Sequence, residues 1–498
     1  MSRFRKTAGR AMMAFARYVS PAMLAAAAVG IVTAVALFIP PFIGMADNGD
    51  YFRIIYGNGL YFNAPDYTEQ YFGYFVKQYG ILQYFNENAA ALTSSQSLFI
   101  KAAMALNKWL YHPHIFDIRV QGALYAAMLV GAVYLLVESV TWKVPRKFGY
   151  IIAALAVWIF ADTGYTAYFN SFYGESLVYI MSIVVAASAM LLYRRRYNDY
   201  VLLLMFFVSA LLLTTAKQQN APVGVIIAMI GIVLIYIRKS KPFRAFAASM
   251  LALLLLSGIA TYALIPKEFV NINQYHAMTR GPLLQSKNPE ETLRAFGIDE
   301  QYAILSKTIY YELYPPIDVD SPILEKSFYS RYGFASILAF YAAHPGIGME
   351  MLNLAAKHAF TIRPPAMGNF EKSADRSFGE QALFFSSYSM VKKQFAPKTF
   401  GFIVLWAVLI VGLYLPSFVA AVKAKDSRAA ARLPLIVMMM LAGLSGIAVS
   451  IIGAGDADLA KHEFLFTVMF DIVTFLAIAD AFRRELWQYR PLNRGTAV

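Results

Sequence analysis

Pro40-Pro41-Phe42-Ile43-Gly44-Met45-Ala46-Asp47-Asn48-Gly49-Asp50-Tyr51-Phe52-Arg53 follows directly on an uncharged apolar run that begins near residue 19. A run of this length crosses the hydrocarbon core of a bilayer as a helix, and two prolines end it. The aspartates Asp47 and Asp50 therefore stand where the first span leaves the membrane. The run is too long for the apolar core of a secretory signal and lacks a clear small-residue cleavage site, so it reads as a permanent span.

The pattern repeats along the chain. Of the 498 residues, 59% are hydrophobic and only 15% are charged, a balance suited to a bilayer. About ten spans are expected, at roughly 19–44, 116–138, 148–161, 176–193, 200–216, 221–237, 245–265, 399–421, 433–453 and 463–481. The fold class is an all-α polytopic membrane protein. Three parts follow from the spacing: a transmembrane module at 1–265, a loop subdomain at 266–398 and a C-terminal transmembrane module at 399–498.

The net charge of +14 does not point to nucleic acid, because the basic residues gather in every second connection. Arg3, Arg5, Lys6, Arg10 and Arg17 precede the first span. Lys143, Arg146 and Lys147; Arg194, Arg195 and Arg196; Arg238, Lys239, Lys241 and Arg244; Lys423, Lys425, Arg428 and Arg432; and Arg483, Arg484, Arg490 and Arg494 follow in alternation. The positive-inside rule then puts both termini in the cytoplasm and the long connections, about 45–115 and 266–398, outside. With no cysteine, disulfides, thiolate metal sites and a cysteine nucleophile are excluded.

Within the first long connection, Leu98, Phe99, Ala102, Ala103, Leu106 and Leu110 recur at helical spacing behind Ser94, with Lys101 and Lys108 on the opposite face. This is expected to be a helix lying along the membrane surface, capped by Ser94. The apolar stretch Phe334–Ala343 is too short to span and stops at His344-Pro345-Gly346.

Ionisable and amide residues collect at the outer helix ends. Asp162 and Glu175 flank the turn that carries Asn170 and Tyr173. Lys217, Gln218, Gln219 and Asn220 fill another, and Asp456, Asp458, Lys461, His462 and Glu463 a third. Such groups are costly beside hydrocarbon and usually line a wet cavity, although each singly could be a solvated cap. Asp471 is the one acid well inside a span, and Asp480 lies near an inner end. Phosphate-loop, His-Glu-x-x-His and nucleophile-elbow signatures are missing. His112-Pro113-His114 has the types for a metal site but reads as a loop, since no third ligand is near.

An acidic motif after the first span, a first outer connection with interfacial helices, a second acidic patch between the third and fourth spans and a large outer segment after the seventh together resemble the GT-C superfamily of integral-membrane glycosyltransferases. The sequence carrying the motif is Asp47-Asn48-Gly49-Asp50-Tyr51-Phe52, where Asn48 replaces the second acid of many members. Tyr168–Glu175 also looks like a segment of bacterial envelope-glycan membrane proteins. The resemblance implies an inverting hexosyl or pentosyl transfer from a polyprenyl-phosphate-linked donor to a glycan, lipid or protein acceptor outside a bacterial cytoplasmic membrane.

Under that reading Asp47 or Asp50 is the base, with Asp47 placed first by alignment, and Glu175 and Asp162 are the further catalytic carboxylates. Lys217, Arg363, Arg280, Lys461 and His462 are the cations offered to phosphate. Asp456, Asp458, Tyr51, Arg53, Asn170, Tyr173 and Gln218 complete the expected substrate surface. The residues point to no particular cofactor, and a divalent cation, Mg or Mn, is left open. A polysaccharide polymerase or ligase, and a transporter or flippase, are the alternatives. The second would be expected to show inverted repeats or charges at mid-membrane.

Overall fold

The computed structural model describes residues 18–63, 71–83, 94–265 and 267–489. The basic residues Arg3 to Arg17, Arg490 and Arg494 lie outside them. Each of the ten apolar segments is a helix. Among the described residues eight helices are long and apolar enough to cross a bilayer, nine if the pair Arg146–Phe160 and Thr163–Asn170, bent by 44°, counts as one span, and Asp199–Thr215 is a shorter apolar helix of 17 residues.

The major helices are α1 (Pro21–Phe38), α2 (Gln96–Leu110), α3 (Ile118–Thr141), α4 (Arg146–Phe160), α5 (Glu175–Arg194), α6 (Asp199–Thr215), α7 (Ala221–Ile230, continued as a tighter turn to Tyr236), α8 (Lys241–Ala263), α9 (Lys267–Thr279), α10 (Phe334–Ala343), α11 (Pro345–His358), α12 (Ser387–Phe395), α13 (Phe400–Lys423), α14 (Arg432–Gly453) and α15 (Phe464–Phe482). Helix α5 is the central post: every residue except Val184 is buried, against α3 on one side and α6 on the other. Its apolar residues run all round, as an interior helix requires. By contrast, α8 and α13 leave Leu253, Leu256, Ile259, Leu405, Val408 and Leu409 exposed. At roughly 25 cal/mol per Å² of apolar surface, such faces belong against lipid.

Helix α2 behaves as its periodicity demands. Ile100, Ala103 and Asn107 pack inward while Leu98, Leu106, Trp109 and Leu110 are left exposed, an apolar stripe suited to a membrane surface. The cap differs from expectation. Ser95 occupies the cap position without a side-chain bond, whereas the Ser94 hydroxyl accepts from the Gln96 N–H at 3.1 Å and donates to the Ala216 carbonyl at 2.7 Å. Ser94 is thus spent on tying α2 to the end of α6. Helix α10 buries Ile337, Phe340 and Tyr341.

One feature of the first connection has no counterpart in the sequence reading. Three short antiparallel strands, β1 (Leu60–Phe62), β2 (Gln78–Ile81) and β3 (Ile115–Asp117), form a sheet in that order, with Leu60 opposite Ile81 and Gln78 opposite Asp117. Asn107 at the end of α2 bonds to the carbonyls of His112 and Ile115 and accepts from the Asp117 N–H. The His112 ring accepts from the His114 and Ile115 N–H groups at 3.1 Å each, so that pair shapes a turn.

Asp471, the acid inside a span, is closed off by Lys392 of α12 at 2.6 Å and by the Tyr165 hydroxyl, and Lys392 also reaches the Thr467 carbonyl at 3.2 Å. Buried charge is tolerated when paired in this way. The pair pins the end of the second long connection onto α15.

Candidate active site

The geometry of the acidic motif starts from Asp47. Its Oδ1 accepts from the N–H groups of Gly49 (2.8 Å), Asp50 (2.9 Å) and Tyr51 (3.1 Å), winding the chain into the short helix Phe52–Ile55. Gly49 makes this possible with φ +96°, a left-handed conformation that side chains rarely adopt. The Asp47 carbonyl accepts from Phe72 N–H at 2.7 Å. Tyr173 clamps the turn from the other side: its hydroxyl accepts from Asn48 N–H at 2.8 Å and donates to the Ala46 carbonyl at 2.9 Å. Tyr51 packs edge-on to Phe172 and Tyr173 and donates to the Met45 carbonyl at 2.8 Å.

The two aspartates consequently have different fates. Asp47 is 2% exposed, and its Oδ2 is buried without a hydrogen bond. Burial, helped by the charge of Asp50 and opposed by the Tyr51 and Gly49 N–H groups and Lys461, raises its pKa to about 7. Asp50, with a side chain 31% exposed, lines a cavity. It pairs with Lys461 and with Arg53 at 3.3 Å. Burial works to raise its pKa, but these two cations outweigh it and hold the carboxyl well below the usual range.

The cavity measures about 450 Å³ and is lined by Asp50, Arg53, Glu175, Lys217, Gln218, Lys461 and His462, with Gln96, Asn273, Ser445 and Ser450. Its other wall is apolar: Pro222, Tyr262, Ile265, Ala448, Val449 and Ile452. Four helix ends build it. Glu175 opens α5 and binds Lys217 at 2.6 Å. The stem of Lys217 lies over Gly174, where an added Cβ would come within 3.0 Å of Lys217 Cγ. Between α14 and α15, Lys461 reaches Asp50, Asp458 at 3.2 Å and the Asn48 Oδ1 at 3.4 Å, while Asn48 Nδ2 donates to Asp458 at 2.8 Å. Burial lowers the Lys461 pKa less than Asp50 and Asp458 raise it, so the ammonium is held above its ordinary value. His462 is pushed down to about 4 by burial and by Lys217 and Lys461, against the pull of Asp458. It is neutral at pH 7, and its backbone carbonyl accepts from Gln219 Nε2 at 2.9 Å.

The remaining expected residues lie elsewhere. Asp162 uses both oxygens as a cap, accepting from Gly164 N–H at 2.7 Å and Ser389 N–H at 3.0 Å. Arg363 is buried against the Asn369 side chain (2.5 Å) and the Ala382 carbonyl (3.0 Å), and Asn369 in turn donates to the Gly44 carbonyl. Arg280 grips Asp456 with two bonds, 2.6 and 2.8 Å, and donates to the Lys307 carbonyl. Asn170 donates to the Ile43 carbonyl at 2.8 Å. None of these five lines the cavity. They brace its rim, joining the second long connection and the turn 454–463 to the first. Glu463 is fully buried, and neither carboxylate oxygen is hydrogen-bonded among the described residues. Gln96, Asn273, Ser445 and Ser450 were not anticipated. The polar serines of the otherwise apolar α14 were the available signal.

A divalent cation does not suit this donor set. Both charged partners of Asp50 are cations, Asp458 already shares Lys461 and Asn48, and Asp47 spends one oxygen on three N–H groups. Among the described residues no three His, Cys, Asp or Glu side chains converge as a metal site would require.

The described residues form a multi-pass helical bundle with two long connections over a charged cavity, the architecture of a polytopic membrane protein. The chain belongs to the YfdI N-terminal transmembrane domain family, whose profile matches residues 5–496. No curated protein matches it in sequence. Among solved structures it is similar to the archaeal oligosaccharyltransferase AglB from Archaeoglobus fulgidus, in complex with an inhibitory peptide and a dolichol-phosphate, with 11% identity and a TM-score of 0.36. That similarity covers 94% of this chain and 51% of AglB, so the chain spans about half the length of that protein.

Proposed function

We propose that the protein is an inverting glycosyltransferase that moves a sugar from a polyprenyl-phosphate-linked donor to an acceptor outside the cytoplasmic membrane. The observation that carries this reading is the pairing, in one cavity, of the Asp50 and Glu175 carboxylates with the Lys461 and Lys217 ammoniums, beside an apolar wall that reaches the bundle surface at Tyr262 and Ala448. A lipid phosphate needs both halves: cations for its head and an apolar track for its tail.

Asp50 takes the proton of the acceptor hydroxyl as that oxygen bonds to C1 of the sugar. The C1–O bond to phosphate breaks with its electron pair on the phosphate, whose growing charge is met by Lys217 and Lys461. Glu175 stabilises the oxocarbenium character between them. An arriving phosphate competes with Asp50 for Lys461, which loosens that pair and makes Asp50 a stronger base at the moment the acceptor is bound. Asp50 rather than Asp47 takes this role because Asp50 lines the cavity and Asp47 does not.

We assign both termini to the cytoplasm and the cavity to the outside, because the basic connections among the described residues, such as those of Arg194, Arg428 and Arg483, fall away from the cavity. Reporter fusions at Val498 and within 285–295 test this, and an external C-terminus would reverse the assignment. The activity is tested by placing the full chain in vesicles with polyprenyl-phosphate-linked sugars and following sugar consumption. The expected result is transfer or hydrolysis that Asp50→Asn removes. Turnover undiminished in that variant would refute Asp50 as base, and no turnover with any hexosyl or pentosyl donor would refute the reading.

A further inference from the structure

We infer that Lys461 is the resident cation of this site, occupying the position that a divalent ion would take between an acidic motif and a phosphate. The arrangement around its ammonium is that of a cation shell. Three side chains turn oxygen atoms toward one positive centre: the Asp50 carboxylate, the Asp458 carboxylate at 3.2 Å and the Asn48 carbonyl at 3.4 Å. They come from two segments more than 400 residues apart, with Asp50 and Lys461 separated by 411 positions. Neither segment could close the shell alone.

The surroundings favour a single charge there. Lys461 is 5% exposed and lies 5.0 Å from the Tyr173 ring centre, a contact that holds a compact cation without needing a further anion. Counted together, the carboxylates of Asp50 and Asp458 are balanced by Lys461 and Arg53. A divalent ion added to this balanced group would have to expel the ammonium or sit beside it at full repulsion. Asn48 also makes sense in these terms. Its amide presents a carbonyl to Lys461 and an N–H to Asp458, which a third carboxylate could not do. The substitution of amide for acid in the motif thus goes with a built-in monovalent cation.

The catalytic meaning of this inference rests on the proposed glycosyl transfer, but its physical content does not. The test is therefore a binding measurement on the full chain in detergent: Mn²⁺ titration followed by electron paramagnetic resonance, with thermal unfolding in EDTA and in Mn²⁺ alongside. The parent is expected to bind no more Mn²⁺ than Asp50→Asn and to melt at the same temperature in both media. Lys461→Ala opens the oxygen shell and should bind Mn²⁺ at least about 10-fold more tightly than the parent, while Lys461→Arg, which keeps the charge, should not. If Lys461→Ala fails to fold, Lys461→Met, closer in volume, takes its place. One Mn²⁺ bound per parent chain and lost in Asp50→Asn or Asp458→Asn overturns the inference, as does an emptied Lys461 position that takes no metal. Inactivity toward every sugar donor would count against the proposed function and leave these binding results standing.

Discussion

The two ends of the bundle both gather opposite charges, and they use them differently. At the end away from the long connections, guanidinium groups close every ion pair described. Arg194 binds Asp480 at 2.8 Å and Glu485 at 3.0 Å, Tyr414 donates to Asp480 at 2.9 Å, Arg432 reaches Ser417 and the Glu485 carbonyl, and Arg483 takes the other Glu485 oxygen. None of these side chains lines the cavity. At the other end two lysines, Lys217 and Lys461, face the cavity with their partners Glu175 and Asp50. A rigid planar fork suits a lock, and a compact charge on a flexible stem suits a group that must transfer its attention to a ligand.

That contrast makes removal of one aspartate at each end the sharpest experiment. Asp50→Asn should lower sugar transfer about 100-fold to 10,000-fold, the range for a lost general base, and lower the melting temperature less than Asp480→Asn does, because Asp50 is partly exposed and Asp458 still pairs with Lys461. Asp480→Asn should do the reverse. Its loss takes one carboxylate from two buried arginines, leaving Glu485 as their shared acid, and should cost about 3 kcal/mol of stability, read by unfolding in detergent, while activity per folded molecule stays within about twofold. Equal stability of Asp480→Asn and the parent would end the description of that end as a lock.

A smaller effect is expected for Lys217. Lys217→Ala removes one charge-assisted contact, worth about 1.5 kcal/mol or roughly tenfold in affinity. It should appear as a raised KM for donor with kcat less affected, and Lys217→Arg should recover most of it. A loss confined to kcat would place Lys217 away from the phosphate.

The least effect concerns pH. Asp47 keeps its proton up to about 7 in the fold, against an ordinary value of 3.8. The folded state then binds more protons than the unfolded chain between these values, so the Asp47 contribution to stability falls as pH rises from about 4 to about 7 and is level above. His462, with a pKa of about 4 against 6.5, contributes in the opposite sense, with stability lost as pH falls below 6.5. The difference in melting temperature between the parent and Asp47→Asn cancels the histidine. It should favour the parent more at pH 5 than at pH 8, and a difference independent of pH would show that Asp47 does not titrate in this range.

Much of the architecture was legible in advance. All ten apolar segments are helices, and the stripe of α2 at Leu98, Leu106 and Leu110 is exposed as its spacing requires. The three-stranded sheet was not legible, since strands of three or four residues carry no period to read. The site was legible as a set of helix ends and not as a set of contacts. Arg363, Arg280 and Asp162 have the chemistry of site residues but are consumed by Asn369, Asp456 and two backbone N–H groups.

The dividing line is physical. Whether a segment enters a bilayer depends on the summed transfer free energy of about 20 consecutive residues, a local quantity that neighbours in the chain decide. The same holds for the position of Asp47 and Asp50 at a helix end. Which aspartate faces the cavity depends on three N–H groups that capture Asp47 and on a lysine 411 residues away that captures Asp50. Charge pairing follows distance in space, and only the packing of α5, α14 and α15 brings those charges within reach of one another.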